Sequence, residues 1–169
     1  GVVCEHDIVP SYLDYAASRV SLDHPVKVVL DGGNGAGGLI CEDLLRRIGA
    51  EVVPLYCEPD GSFPNHHPDP VVEKNVGDLM AEVVRTGAQA GIGLDGDADR
   101  IGVVDEQGEM VYGDKTLAIY AREVLKEHPG ASVLGEVKCS HLLFRDVEAH
   151  GGKAEMGMTG HSMIKARML

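Results

Sequence analysis

The sequence predicts an α/β fold with largely parallel strands, on three observations. Short apolar, β-branched runs alternate with amphipathic stretches at helical spacing, Gly- and Pro-rich turns separate them, and the alternation restarts after Gly113. With 169 residues, 44% of them hydrophobic, the chain can bury one core, or one core and part of a second.

Residues 7–20, DIVPSYLDYAASRV, read as a helix capped by Ser11 or Asp7. VKVVLD (26–31) is a strand that runs into the turn GGNGAGG and then the helix LICEDLLRRIGA, which Gly49 closes before the strand EVVPLYCE (51–58). Four prolines and a glycine make PDGSFPNHHPDP (59–70) a loop. NVGDLMAEVVRTG (75–87) is an amphipathic helix, and AQAGIGL (88–94) is a strand that delivers the acidic stretch GLDGDADR. IGVVDEQGEMVYG (101–113) reads as a β-hairpin turning near Glu106-Gln107-Gly108. A helix (114–128), a strand (131–137), a helix (141–151), a strand (152–158) and a helical start at TGHSMIKARML follow. The boundary falls near Glu109, dividing a domain over 1–109 from a second over 110–169. That second part has only two clear strands and reads as truncated.

The net charge of −12, with no Lys/Arg-rich run, argues against nucleic acid or an anionic membrane as partner. Cations, or anionic metabolites held at a local exception to the acidic field, are the ligands it favours. Cys4, Cys41, Cys57 and Cys139 show no CxxC pair, which fits reduced thiols and a cytoplasmic setting. No apolar run approaches the roughly 20 residues of a membrane span, and no signal peptide is visible.

Asp95, Asp97 and Asp99 alternate with the small residues Gly96 and Ala98 and are followed by Arg100. Carboxylate oxygens are hard ligands, and a tight loop of this pattern can turn several toward one Mg²⁺ or Ca²⁺. A solvated turn neutralised by Arg100 is the plain alternative. A calcium loop counted from Asp95 places aspartates at positions 1, 3 and 5 and Glu106 at 12, but puts Arg100 where glycine is required and lacks flanking helices.

The turn GNGAGG (33–38) satisfies G-x-G-x-x-G between a strand and a helix, with Glu58 about 20 residues on, so Gly33, Gly35 and Gly38 are candidates for a nucleotide phosphate. Against this, Asp31 would face the incoming phosphate, and Asn34-Gly35 suits a tight, closely packed turn. His66 and His67 are adjacent in an extended loop, so their side chains point apart and make a poor pair for one metal.

Taken together, DGGNGAGG, YCEPDGSFPNHHPDP, GLDGDADR, EVKCS and TGHSMIK resemble, in order and spacing, the α-D-phosphohexomutases, specifically the phosphomannomutase/phosphoglucomutase branch. The resemblance implies a mixed, mostly parallel four-stranded sheet between helices, followed by a truncated second α/β domain: domain 2 and the first part of domain 3 of a four-domain enzyme. It also implies an Mg²⁺-dependent exchange of phosphoryl groups between hexose 6-phosphate and hexose 1-phosphate, through a phosphoserine enzyme and a bisphosphorylated intermediate. Asp95, Asp97 and Asp99 match the metal ligands of that family, while Arg100 and His161 match residues of its substrate cleft. Two positions depart from the pattern: Ala98 stands where glycine is more usual, and Met158 where a basic residue is usual. No counterpart of the phosphoserine loop is found among these residues, so the chain alone is expected to be inactive and to depend on the remaining domains of its parent. A phosphoglucosamine mutase is the alternative within the family, and FPNHHPDP and TGHSMIK disfavour it.

Overall fold

The computed structural model describes all 169 residues, which form two compact units, Gly1–Met110 and Val111–Leu169. The first unit contains α1 (Val9–Ala17), β1 (Lys27–Asp31), α2 (Gly38–Arg47), β2 (Glu51–Leu55), a 3₁₀ turn (Glu73–Asn75), α3 (Gly77–Thr86), β3 (Ala90–Leu94) and β4 (Ile101–Asp105). The two-residue strand β5 (Met110–Val111) ends its sheet. Strand order is β2-β1-β3-β4-β5, with β1 parallel to both β2 and β3 and with β4 antiparallel to β3. The expected mixed, mostly parallel sheet is present, and β5, where the hairpin returns, raises its strands from four to five.

β1 sits between two neighbours and is buried on both faces, which explains why VVLD carries no polar alternation. Its residues divide with the period of a strand. Val29 packs on one side with Val76, Leu79 and Val83 of the α3 region, whereas Val28 and Leu30 pack on the other with Val52, Leu94 and the α2 residues Cys41 and Leu45. Each fully buried Val or Leu contributes about 2 kcal/mol of transfer free energy, so these two clusters are what hold the sheet between its helices.

Helix ends follow local chemistry. Gly87 closes α3 in the left-handed conformation (φ 63°), and Gly49 follows α2 at φ 96°. The expected cap of α1 is corrected: Ile8 occupies the N-cap position with no side-chain cap, because Pro10 lies in the first turn and removes one of the backbone donors a cap would serve. Asp7 Oδ1 instead accepts from the Val9 N–H at 3.1 Å, and the Ser11 hydroxyl donates back to the Ile8 carbonyl.

The second unit contains α4 (Gly113–Glu127), β6 (Ser132–Glu136), α5 (His141–Ala149), β7 (Lys153–Gly157) and α6 (His161–Met168). β6 and β7 form a two-stranded parallel sheet. Ala121, Leu125, Leu143 and Val147 make its core, and Ser140 caps α5 by accepting from the Leu142 N–H. All four cysteines are free. Burial pushes the Cys57 thiol up to about 11, which makes it a packing residue rather than a nucleophile. No helix is long and apolar enough to cross a membrane.

Candidate metal centre

β3 and β4 form an antiparallel pair that closes at Leu94 and Ile101, and residues 95–100 are the connection between them. The loop is tight. The Ala98 N–H donates to the Asp95 carbonyl at 3.1 Å, and Ala98 itself is forced to φ 58°, a conformation that glycine would adopt with less strain. Asp95 is 2% exposed, while Asp97 and Asp99 face solvent. One carboxylate oxygen from each of the three lies within 4.8 Å of the other two. Three convergent hard oxygens are a donor set suited to a small divalent cation, whose further ligands would be water or an oxygen from elsewhere.

Arg100 braces this group. Its backbone N–H donates to Asp95 Oδ1 at 2.9 Å, its Nε to Asp95 Oδ2 at 2.8 Å and its Nη1 to Asp69 Oδ1 at 3.0 Å, while Asp99 Oδ1 lies 3.7 Å from Nε. Burial alone would raise the Asp95 pKa, but the hydrogen bonds from Arg100 outweigh it and hold the carboxyl below its ordinary value. Asp99 goes the other way: its hydrogen bond to Asp95 and the repulsion of Asp97 and Asp95 favour its protonated form. The loop therefore carries an unrelieved like-charge conflict at its exposed end and a relieved one at its buried end.

The calcium-loop count has no frame here, because strands β3 and β4 flank the loop on either side where that motif needs helices. The glycine turn also resolves. A Cβ at Gly35 would lie 2.7 Å from the Gly96 carbonyl oxygen, and one at Gly38 would lie 2.5 Å from the Cys57 oxygen. The Ala36 N–H donates to Gly96 O at 2.9 Å. Main chain of residues 57 and 96 thus fills the space beside Gly35 and Gly38, and the turn serves as a close-packed support for the acidic loop rather than as a nucleotide cradle. Glu58 is exposed, and its backbone oxygen is held by the Asn34 amide.

His66 and His67 do point apart. His66 Nε2 lies 2.9 and 3.2 Å from the Asp31 carboxylate oxygens, whereas His67 is exposed. Asp31, His66 and Asp69 are the site-supporting residues that sequence reading did not connect, since their partners lie 31 to 35 residues away. In the second unit, His161 is the exposed first residue of α6, and Met158 is exposed before it. Lys138, from EVKCS, lines a cavity of about 710 Å³ with Tyr112, Asp114 and Glu136, its Nζ 3.1 Å from Glu136 Oε1.

Residues 10–108 match the family description "Phosphoglucomutase/phosphomannomutase, alpha/beta/alpha domain II", and residues 112–169 match "alpha/beta/alpha domain III" of the same family. A phosphomannomutase/phosphoglucomutase of Pseudomonas putida is 46% identical over 168 residues, and a phosphoglucomutase of Neisseria gonorrhoeae is 45% identical over the same length. Each alignment covers 99% of this chain and 36% of the relative, so the chain spans about a third of the length of the proteins it matches. A crystal structure of a phosphoglucomutase/phosphomannomutase family protein from Burkholderia thailandensis superposes with a TM-score of 0.93 at 40% identity, over 96% of this chain and 36% of that one. With both units matched by consecutive domains of one family and the motifs in their expected order, the chain belongs to the phosphoglucomutase/phosphomannomutase family.

Proposed function

We propose that this chain carries the cation-holding part of an enzyme that interconverts hexose 6-phosphate and hexose 1-phosphate, with Asp95, Asp97 and Asp99 as the ligands of one Mg²⁺. The observation that carries the reading is the convergence of the three aspartate oxygens to within 4.8 Å at the end of β3. The names of the relatives support the choice of substrate class. When bound, Mg²⁺ supplies a positive centre that fixes a donor phosphate and offsets the charge that builds up on a transferring phosphoryl group.

The protein's own groups prepare that event. Asp95 is buried and held on both oxygens by Arg100, so its direction is set before any ligand arrives. Arg100 uses Nε and one Nη1 hydrogen on Asp95 and Asp69. Of the five N–H donors of a guanidinium, three are then left for phosphate oxygens of the sugar. His161 is the second substrate contact in this reading. The phosphoserine that gives its phosphoryl group to the hexose monophosphate, and takes the other one back from the bisphosphorylated sugar so formed, comes from the remaining domains, and the chain alone turns over no substrate.

Calorimetric titration tests the metal assignment. Mg²⁺ is expected to bind more weakly than micromolar, because the chain offers only three ligands and Mg²⁺ gives up its waters reluctantly. Asp97→Ala should abolish the signal, and neither NAD nor Ca²⁺ should bind tightly. Submicromolar Mg²⁺ affinity, or binding unaffected by Asp97→Ala, overturns the assignment. Joining the chain to the missing domains and supplying Mg²⁺ with a trace of hexose 1,6-bisphosphate should then restore conversion of mannose or glucose 1-phosphate. Conversion of neither sugar overturns the mutase reading.

A further inference from the structure

We propose that Asp31 and His66 form a positioning pair that sets the direction of Arg100 from outside the acidic loop, a role whose catalytic meaning rests on the reading of that loop as the cation site. The starting point is Asp31, 1% exposed at the end of the central strand β1 and therefore fixed by the sheet. Its Oδ1 accepts from the Gly33 N–H at 2.9 Å, and both of its oxygens face His66 Nε2.

The other ring nitrogen decides the hydrogen count. His66 Nδ1 lies 3.0 Å from the His67 carbonyl oxygen, which can only accept, so Nδ1 carries a hydrogen. A second hydrogen then lies between Nε2 and the carboxylate, and the imidazole binds at both ends. The nearby Tyr56 packs its ring edge-on to His66 but gives its hydroxyl hydrogen to Asp78, so it does not compete for Asp31.

The far end of this link is a short turn. The same His67 carbonyl accepts the Asp69 N–H at 2.8 Å, and the Asp69 carbonyl is held by the Asn75 amide at 3.0 Å. Pro68 and Pro70 are buried on either side, Pro68 against Gly33 and Pro70 against Gly93 and Gly102. The turn aims the Asp69 carboxylate at Arg100 Nη1, while Asp95 takes Nε. A continuous set of hydrogen bonds, none longer than 3.2 Å, thus runs from Asp31 through His66, the 67–69 turn and Asp69 to Arg100. With only Asp95 to hold it, the guanidinium would be free to turn about that one contact. Asp69 supplies the second point, and His66, through the His67 carbonyl, holds the turn that presents it together with the Asn75 amide and the two buried prolines.

The test reads Arg100 directly. In the metal-free chain, solvent exchange of the Arg100 Nη1–H, the donor that Asp69 holds, is measured by NMR, alongside the backbone amide spectrum and Mg²⁺ affinity by calorimetry. His66→Leu should speed that exchange at least ~10-fold and weaken Mg²⁺ binding while the β1–β4 amides keep their shifts. His66→Asn, polar and too short to reach Asp31, serves as the second breaking variant if leucine disturbs the fold. Asp31→Asn should retain slow exchange, because its amide oxygen can still accept from Gly33 and its NH₂ can donate to Nε2. Wild-type protection of Nη1–H in a folded His66→Leu or His66→Asn chain overturns the proposal. Fast exchange in those variants, together with a wild-type chain that binds no Mg²⁺, upholds the positioning pair and removes the cation reading instead.

Discussion

Asp31 ends β1 and Asp95 directly follows the neighbouring parallel strand β3, at the same end of one sheet, and both are almost completely buried. Their carboxyls nevertheless shift in opposite directions. Burial dominates at Asp31 and raises its pKa, with the Gly33 N–H and His66 only partly offsetting it. At Asp95 the same burial acts, but backbone and side-chain hydrogen bonds from a permanently charged arginine reverse the outcome. One aspartate is thus fitted to share a hydrogen within the protein, and the other is kept ionised beside two further anions. The difference lies in the partner each strand end is given rather than in depth.

The two loops that follow these strands differ in the same sense. The glycine turn after β1 is closed by main chain, and the acidic loop after β3 is open. The largest expected effect breaks that closure. Gly38→Ala would place a Cβ 2.7 Å from the Cys57 Cα, where no flexible side chain can move aside, and should lower stability by about 3 kcal/mol. Urea unfolding checks this. A fully stable Gly38→Ala chain would mean that the turn has room to spare and would reopen its reading as a phosphate cradle.

Next in size is the contrast between the two aspartates themselves. Asp95→Asn turns an NH₂ toward the donors of Arg100 and should cost about 2 kcal/mol, the usual worth of a hydrogen bond to a charged group. Asp31→Asn keeps a workable partner for both Gly33 and His66, and should fall within about 0.5 kcal/mol of wild type. Equal losses at the two positions would show that depth, and not the partner, sets the behaviour of these carboxyls.

Acid sharpens the comparison further. Because the folded-state pKa of Asp31 lies above its unfolded value of 3.8, the native state takes up this proton first, and the contribution of Asp31 to stability grows as pH falls toward 3.8. Asp95 has the lowered value, so its contribution is present above 3.8 and is lost as pH falls further. Stability measured from pH 7 to pH 3 without Mg²⁺ should therefore decline more steeply in Asp31→Asn than in wild type at the upper end of the acid range. In Asp95→Asn the decline should be shallower below about pH 4. Parallel curves for all three proteins would contradict the opposite shifts.

What was legible in the sequence follows the range of the interactions involved. Alternating strands and helices, the boundaries at Gly49 and Gly87, and the carboxylate cluster all depend on residues a few positions apart, and periodicity exposes them. GNGAGG admits two readings at that range, with Asp31 and Asn34-Gly35 favouring the close-packed turn. Only the approach of residues 57 and 96 to Gly38 and Gly35 separates them, and that approach is a property of the folded chain. The divergence of His66 and His67 was visible from strand geometry, but the destination of His66 was not, since Asp31 lies 35 positions back. Arg100 was legible as a neighbour of the aspartates but not as a strut to Asp69.

The smallest predicted effect concerns Ala98, which the acidic loop holds at φ 58°. An L-residue pays about 1–2 kcal/mol there, and replacing it by glycine removes that strain while adding roughly 0.5–1 kcal/mol of unfolded-state entropy. Ala98 also packs its methyl against the Leu94 cluster and against Gly37, contacts that glycine would give up. The net gain for Ala98→Gly is therefore about 0.5 kcal/mol, a rise of about 1–2 °C in the thermal midpoint. Mg²⁺ affinity should be unchanged, because Ala98 contributes no oxygen ligand from its side chain. A loss of stability in Ala98→Gly would instead mean that methyl packing onto the glycine turn outweighs backbone strain, and that the closed loop supports the open one through side chains as well as through the Ala36–Gly96 hydrogen bond.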